Sequence, residues 1–175
     1  MKELIDNKMI EQIKSLLESA RQKVAADVNS PLLMTYWQIG KIIIEDEQKH
    51  ESRAEYGKQT LKTLFKVLTG EYGKGFSRSN LQNMLQFYLA YPKCQSVTGK
   101  LSWTHYCELL LISDEQKRSF YEKECLSARW SVRELKRQID SSLFERLLLS
   151  NGDANKEKVL SLAMNGNEIA KESIV

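Results

Sequence analysis

The sequence contains few residues that bind metals or form disulfides. Its three cysteines, Cys94, Cys107 and Cys125, are odd in number, widely spaced and without a C-x-x-C pair. This pattern argues against a disulfide framework and against a zinc site, and it is typical of a reduced cytoplasmic protein. The two histidines, His50 and His105, are too few and too scattered to complete a metal cluster. We therefore expect no metal and no cofactor.

Long apolar segments are also missing. No charged start is followed by a purely apolar run, so the sequence shows no secretory signal peptide. The longest apolar stretch near the start, residues 37–44, is interrupted by Gln38, Gly40 and Lys41 and is too short to span a bilayer. We expect a cytoplasmic protein that has no membrane partner.

The net charge is small, but its distribution is uneven. The 175 residues, 42% of them hydrophobic, suffice for one good core, and 26 basic against 23 acidic residues give a net charge of +3. Residues 51–112 contain eight basic and four acidic side chains, whereas the remainder contains 18 basic and 19 acidic ones. The whole positive excess therefore lies in one segment, where it can attract phosphates.

A narrow apolar seam marks the first predicted helix, residues 4–26. Its members recur at spacings of three and four, which places them on one face: Met9, Ile13, Leu16, Ala20 and Val24. Such a seam suits either packing across the domain or pairing with a second helix, as in a homodimer. Asn29-Ser30-Pro31 then predicts a break, with proline at the first position of a new helix that reaches Lys49. Gly40 inside this second, apolar helix indicates a close helix–helix crossing.

The most distinctive segment is 73–92, GKGFSRSNLQNMLQFYLAYP. It reads as a glycine turn, a serine cap and a helix with one aromatic-apolar face and one face of Arg, Asn and Gln, side chains suited to base edges. The preceding predicted helix, about Glu55 to Thr69, carries a stripe of lysines four residues apart. Together these elements have the outline of a helix-turn-helix DNA reader, although polar helix faces more often simply meet water.

This outline defines two sets of candidate residues. The candidates for base edges are Arg78, Asn80, Gln82, Asn83 and Gln86. The candidates for phosphate contacts are Lys58, Lys62, Lys66, Lys74 and Lys93. Arg78 and Asn80 come at the start of the helix, the end that usually enters the groove most deeply.

Three further helices are predicted after a stretch from Lys93 to Leu101 that forms either a loop or a small two-stranded wing. Ser102 caps the first, Ser113 opens the second through an S-x-x-Q capping box, and Ser131 opens the third, which extends to about Leu149. The chain therefore divides into an N-terminal helix (1–28), a helical domain (29–149) and a weakly helical tail (150–175). The fold class is all-α, a compact multi-helix domain with a central helix-turn-helix.

Catalytic interpretations of the same residues are weaker. Ser102, His105 and Asp114 have the residue types of a serine-histidine-aspartate triad, but no oxyanion-type glycine loop accompanies them, so we do not interpret them as catalytic. The GEYGKG segment, 70–75, lacks the lysine-hydroxyl ending of a phosphate loop and follows a helix rather than a strand. The aromatic residues recur at helical spacings and are therefore expected mainly in the core. We expect no catalytic residue.

Several longer sequence segments resemble those of a known family. YWQIGKIIIEDEQ (36–48), RAEYGK (53–58), the 73–92 segment, LSWTHYCELL (101–110) and WSVRELKRQIDSSLFERL (130–147) resemble the N-terminal domain of the YhcG family of bacterial proteins. The resemblance runs in order from about Pro31 to Leu147. It implies a DNA-binding, winged-helix-like module that in the family precedes a nuclease-like domain of the PDDEXK type.

Only part of that implication applies to this sequence. A PDDEXK site needs an Asp and a Glu-x-Lys on neighbouring strands, where the carboxylates hold Mg²⁺. The nearest fits, Glu157-Lys158 and Glu168 to Lys171, lie in weakly helical sequence, so we transfer no nuclease activity. We expect a non-catalytic module that binds double-stranded DNA. The alternative is a protein-interaction or oligomerisation module, acting through the first helix and the helix 132–147.

Overall fold

Seven α-helices make up the described parts of the chain. The computed structural model describes residues 7–49, 54–93 and 97–149, and within these ranges it contains no β-strand. The helices are α1 (Asn7–Lys49), α2 (Ala54–Tyr72), α3 (Arg78–Ala90), α4 (Trp103–Leu109), α5 (Glu115–Ala128), α6 (Val132–Asp140) and α7 (Leu143–Leu149), with a 3₁₀ helix at Lys74–Phe76. The all-α prediction is confirmed. The predicted tail, 150–175, lies outside the described residues.

The long helix α1 contradicts the predicted break at Asn29-Ser30-Pro31, because it passes through Pro31 without interruption. Proline lacks the N–H that would bond the carbonyl one turn earlier, so continuation there has a local cost. Contacts on both sides of Pro31 offset this cost. Asn29 Nδ2 donates to the Gly99 carbonyl at 3.2 Å, and Leu33 is fully buried. Tertiary packing thus overrides the local helix-start signal.

The large apolar side chains described in the N-terminal part of α1 are exposed. Leu16, Leu17, Val24 and Val28 are 72%, 57%, 62% and 65% exposed. The expectation that this seam packs across the domain is therefore wrong for the side chains that are described; those of Met9 and Ile13 are not among them. The seam faces solvent.

The core consists of two clusters that meet at α3. One joins α1, α2 and α3 through Ile43, Leu61, Leu81, Met84 and Leu85. The other is rich in aromatic rings and joins α3 to the later helices: its buried rings are Phe87, Tyr91, Tyr106, Phe120, Tyr121 and Phe144. Trp37 Nε1 donates to the Tyr91 carbonyl at 2.7 Å and so fixes the end of α3 to α1. Of the aromatic residues predicted for the core, Phe87 and Tyr106 are fully buried, and four others pack against the clusters: Tyr36, Trp37, Trp103 and Trp130.

The second half of the chain differs from prediction in two details. Helix α5 is capped by Asp114 rather than Ser113, because the Asp114 side chain accepts the Lys117 N–H at 2.7 Å. The predicted long helix 131–149 is broken into α6 and α7 by Ser142, which has a φ of 53°. The Tyr121 hydroxyl bridges this break: it donates to the Gln138 carbonyl and accepts from the Phe144 N–H, both at 3.2 Å.

Helices α1 and α3 cross at Gly40. A Cβ atom built on Gly40 would lie 2.1 Å from the Met84 carbonyl oxygen and 3.1 Å from Tyr88 Cβ. No side chain fits between the two backbones, so the predicted close helix–helix crossing at this glycine is confirmed. By contrast, nothing lies within 4 Å of a Cβ on Gly70, a helical glycine of α2.

These two glycines give matched substitutions with opposite outcomes. Gly40→Ala forces α1 and α3 apart, and we expect it to lower the free energy of unfolding by about 2 kcal/mol or more. Gly70→Ala has room for its methyl group and gains helix propensity, so we expect a rise of about 0.5–1 kcal/mol. Urea unfolding followed by circular dichroism measures both. Equal stabilities of the two variants would contradict the close crossing.

Candidate nucleic-acid interface

Helix α3 presents one continuous stripe to solvent. Ser77 caps the helix by accepting the Asn80 N–H at 3.2 Å, which fixes the helix start at Arg78. At about 100° per residue, one side of α3 is buried through Leu81, Met84, Leu85 and Phe87. The other side, which we name the α3 stripe, is exposed: Arg78, Ser79, Gln82, Gln86 and Leu89. It therefore carries three of the five predicted base-edge candidates.

The other two candidates, Asn80 and Asn83, take part in internal hydrogen bonds. The Asn80 Oδ1 atom accepts from Trp103 Nε1 at 2.7 Å, and its Nδ2 atom donates to the Gly75 carbonyl. Asn83 Nδ2 donates to Cys107 Sγ at 3.5 Å, beside a thiol whose pKa is raised by burial. Both amides are partly buried. The structure thus places Asn80 and Asn83 in the packing between α3 and α4, away from the α3 stripe.

The predicted phosphate-binding lysines are divided among three places. Lys62 and Lys66 are exposed one turn apart on α2, and Lys74 is exposed in the 3₁₀ helix, four residues before Arg78. Lys93 is exposed beyond the other end of α3, a helix about 20 Å long at 1.5 Å per residue. Lys58 belongs to α2, but its side chain is outside the description. Lys74 is therefore the lysine nearest in sequence to the start of the α3 stripe.

The arrangement around His105 resembles part of a catalytic set but has a structural role. His105 Nδ1 lies 2.7 Å from Ser102 Oγ and accepts the Ser102 N–H at 3.2 Å, while Nε2 lies 3.1 Å from the Trp130 carbonyl oxygen. The carbonyl must accept, so Nε2 carries the proton and Nδ1 is the acceptor. Burial lowers the pKa of this imidazole, and the Trp130 hydrogen bond partly offsets the effect. His105 therefore completes the cap of α4.

One partly buried acidic residue, Glu122, was missed by sequence reasoning. The Tyr91 hydroxyl donates to Glu122 Oε2 at 3.0 Å, between cavities of about 240 and 440 Å³ that both border this pair. Burial raises the pKa of the Glu122 carboxyl, although Tyr91, Arg118 and Lys123 act in the opposite direction. In the sequence, Glu122 comes four residues after Arg118 and four before Leu126, a spacing that places all three on the same side of a helix and could have drawn attention to Glu122. The hydrogen bond ties the end of α3 to α5.

A metal centre is not found in the described ranges, where no group of three His, Cys, Asp or Glu residues lies close enough to hold an ion. No described helix is long and apolar enough to cross a membrane.

The sequence of this helical domain matches a known family. The family model described as DUF1016 N-terminal domain matches residues 12–146, and the chain belongs to this family. The match begins well before Pro31, where the sequence resemblance starts, so the family domain includes part of α1 ahead of the proline. No solved structure matches the chain.

A bacterial relative connects this family with the resemblance in the sequence. The chain is 37% identical over 168 aligned residues to a protein of Escherichia coli (strain K12) described as "Putative nuclease YhcG". The aligned region covers 78% of this chain and 45% of that protein. The resemblance to the YhcG family is confirmed, and the chain spans less than half the length of this relative.

The hydrogen bonds of Asn80 distinguish a structural role from a binding role. Asn80→Ala removes the acceptor of Trp103 Nε1 and the donor to the Gly75 carbonyl, so we expect the free energy of unfolding to fall by about 1–3 kcal/mol. Gln82→Ala, on the exposed side of the same helix, should change it by less than about 0.5 kcal/mol. Urea unfolding followed by tryptophan fluorescence compares the two. A fully stable Asn80→Ala protein would show that these bonds contribute nothing to the fold.

Proposed function

We propose that this domain binds double-stranded DNA and catalyses no reaction itself. The observation that carries the proposal is the α3 stripe, in which an arginine and two glutamines lie in line on the exposed side of a capped helix. Arg78, Gln82 and Gln86 follow one another at intervals of four residues. Arginine and glutamine can each make paired hydrogen bonds to base edges in the major groove.

The position of Arg78 supports the same proposal. It is the first residue of α3, and in helix-turn-helix proteins the N-terminal residues of the second helix contact the bases. Lys74, just before it, and Lys62 and Lys66 on α2 supply positive charge for phosphates. Asn80 and Asn83 hold α3 in place and do not contact DNA in this proposal, because their amide groups already form hydrogen bonds within the domain.

In the longer relatives of this family, the domain would direct a nuclease domain to its DNA. The relative described as "Putative nuclease YhcG" is more than twice as long as the region aligned with this chain. A separate non-catalytic module that binds duplex DNA would raise the local concentration of substrate for an attached enzyme. On this proposal the domain supplies affinity for DNA, and its incubation with duplex DNA and Mg²⁺ produces no cleavage.

The expected affinity is largely electrostatic. With about four or five phosphate contacts, the logarithm of the binding constant should fall with the logarithm of the salt concentration with a slope of around −4. Lys62→Ala combined with Lys66→Ala should flatten this slope by about two without altering sequence preference. Fluorescence anisotropy with a labelled duplex at several salt concentrations measures the slope.

The matched control replaces two exposed basic residues of α1, Arg21 and Lys23, with alanine. This variant has the same change in net charge and should keep the wild-type slope. An unchanged slope in the Lys62/Lys66 variant would show that the α2 lysines are ordinary solvated surface. Equal changes in both variants would show that only net charge matters.

A second function, self-association through α1, is favoured by the exposed seam. Nine residues separate Val24 from the buried Leu33, which at about 100° per residue places them on opposite sides of the helix. The domain core therefore leaves the side of Leu17, Val24 and Val28 uncovered. The helix 132–147 of the alternative proposal has less support, because Leu135, Ile139, Leu143 and Leu147 pack into the domain's own core.

If this exposed side of α1 pairs two chains, charges placed at Leu17 and Val24 should separate them. We expect the full chain to be a dimer at micromolar concentration, and Leu17→Glu combined with Val24→Glu to be a folded monomer. Ser19→Glu, which adds a charge to the other side of the same exposed helix, should remain dimeric. Light scattering gives the mass of each. A monomeric wild-type chain would eliminate the pairing proposal and leave the DNA proposal intact.

A further inference from the structure

The connection between α5 and α6 is a short helix–helix turn. It contains only Arg129, Trp130 and Ser131, whereas five residues, 73–77, join α2 to α3. Arg129 has a φ of 54°, the left-handed conformation that ends a helix, and its N–H bonds the Cys125 carbonyl. Ser131 then caps α6 by accepting the Glu134 N–H at 3.2 Å. Two helices joined by a three-residue turn fit the helix-turn-helix motif more closely than α2 and α3 do.

Three helices support this turn. Helices α4, α5 and α6 contact one another in every pairing, and their inner side chains share one core that includes Leu109, Tyr121 and Leu135. The Trp130 carbonyl in the turn lies 3.1 Å from His105 Nε2 of α4. The Tyr121 hydroxyl of α5 donates to the Gln138 carbonyl of α6 at 3.2 Å. The orientation of α6 is therefore fixed from two sides, as a recognition helix requires.

The outer face of α6 is basic. Arg133, Lys136 and Arg137, which we name the α6 face, are exposed. At about 100° per residue, Arg133 and Arg137 lie nearly opposite the fully buried Leu135 and Lys136 lies about 100° from it, while the exposed Asp140 ends the helix on the same outer side. Arg129 is exposed directly before the helix. Arg137 bonds Glu134 at 2.7 Å, yet its side chain remains 71% exposed. Packing of the domain does not require this concentration of positive charge, because the inner face of α6 alone makes the core contacts.

We propose that α4, α5 and α6 form a second helix-turn-helix unit, in which the α6 face enters the major groove of duplex DNA. Arg133 is the second residue of α6, the part of a recognition helix that reaches base edges. Lys136 and Arg137 follow one turn later, and Arg129 lies at the helix entrance, positioned for a phosphate.

This inference rests on the proposal that the domain binds DNA, and it adds a surface distinct from the α3 stripe. Helix α3 packs mainly against α1, whereas α6 packs against α4, α5 and α7. Two surfaces on one domain would contact two grooves or two duplex segments, which raises affinity through avidity when both can bind together.

The test is a duplex DNA titration of the full chain by fluorescence anisotropy at several salt concentrations. Arg133→Ala combined with Lys136→Ala should weaken binding about 10-fold or more and reduce the salt slope by about two. Both residues are exposed, so the melting temperature should stay that of wild type. The control is the Arg21/Lys23 double alanine variant of α1, which has the same charge change and should bind as wild type does.

A parallel variant, Arg78→Ala with Gln82→Ala, separates this inference from the proposal on α3. If only the α3 variant weakens binding, the α6 inference is overturned and the α3 proposal stands. If only the α6 variant does, α6 is the DNA-contacting helix and the α3 proposal fails. Losses in both support two surfaces. Equal binding of duplex RNA, or no binding of DNA by the wild type at low salt, would overturn the assignment of the α6 face to the DNA major groove.

Discussion

The contact between the backbones of α1 and α3 at Gly40 is the constraint on which the rest of the domain depends. It brings α3 so close to α1 that the Met84 carbonyl occupies the space of a side chain. One side of α3 is therefore buried against its neighbours, and the residues of the α3 stripe form the side that is exposed to solvent. The same contact sets the direction in which Tyr91 leaves α3, and Tyr91 in turn meets Trp37 on α1 and Glu122 on α5.

Periodicity and capping signals predicted most elements because they are local. The serine caps at Ser77, Ser102 and Ser131, the close crossing at Gly40 and the all-α class all follow from residues near one another in the chain. The wrong predictions concern helix boundaries that are determined by contacts between residues far apart in the chain. Pro31 stays helical because Gly99 and the core hold α1 on both sides of it. The helix after Ser131 breaks at Ser142, where the Tyr121 hydroxyl bonds the Gln138 carbonyl on one side and the Phe144 N–H on the other.

The candidate site shows the same limit at the level of single side chains. Five polar residues of α3 are suited to base edges by their chemistry, and sequence alone could not separate them. Asn80 and Asn83 are turned inward by Trp103 and Cys107, which lie more than 20 positions away along the chain. The sequence contains the Arg and Lys residues of the α6 face, but the three-residue turn and the His105 contact that fix the direction of α6 depend on the folded arrangement.

The continuous course of α1 also has a consequence for how its exposed half remains helical. Starting a helix is costly, with a nucleation constant of about 10⁻³, whereas each further residue adds a hydrogen bond at little cost. The buried half of α1, anchored by Leu33 and Gly40, provides a ready nucleus for residues ahead of Pro31. Since Pro31 removes one hydrogen bond between the halves, we expect amide exchange to be slow after the proline and much faster before it. Helix α1 is therefore geometrically continuous, but we expect the parts before and after Pro31 to differ in stability.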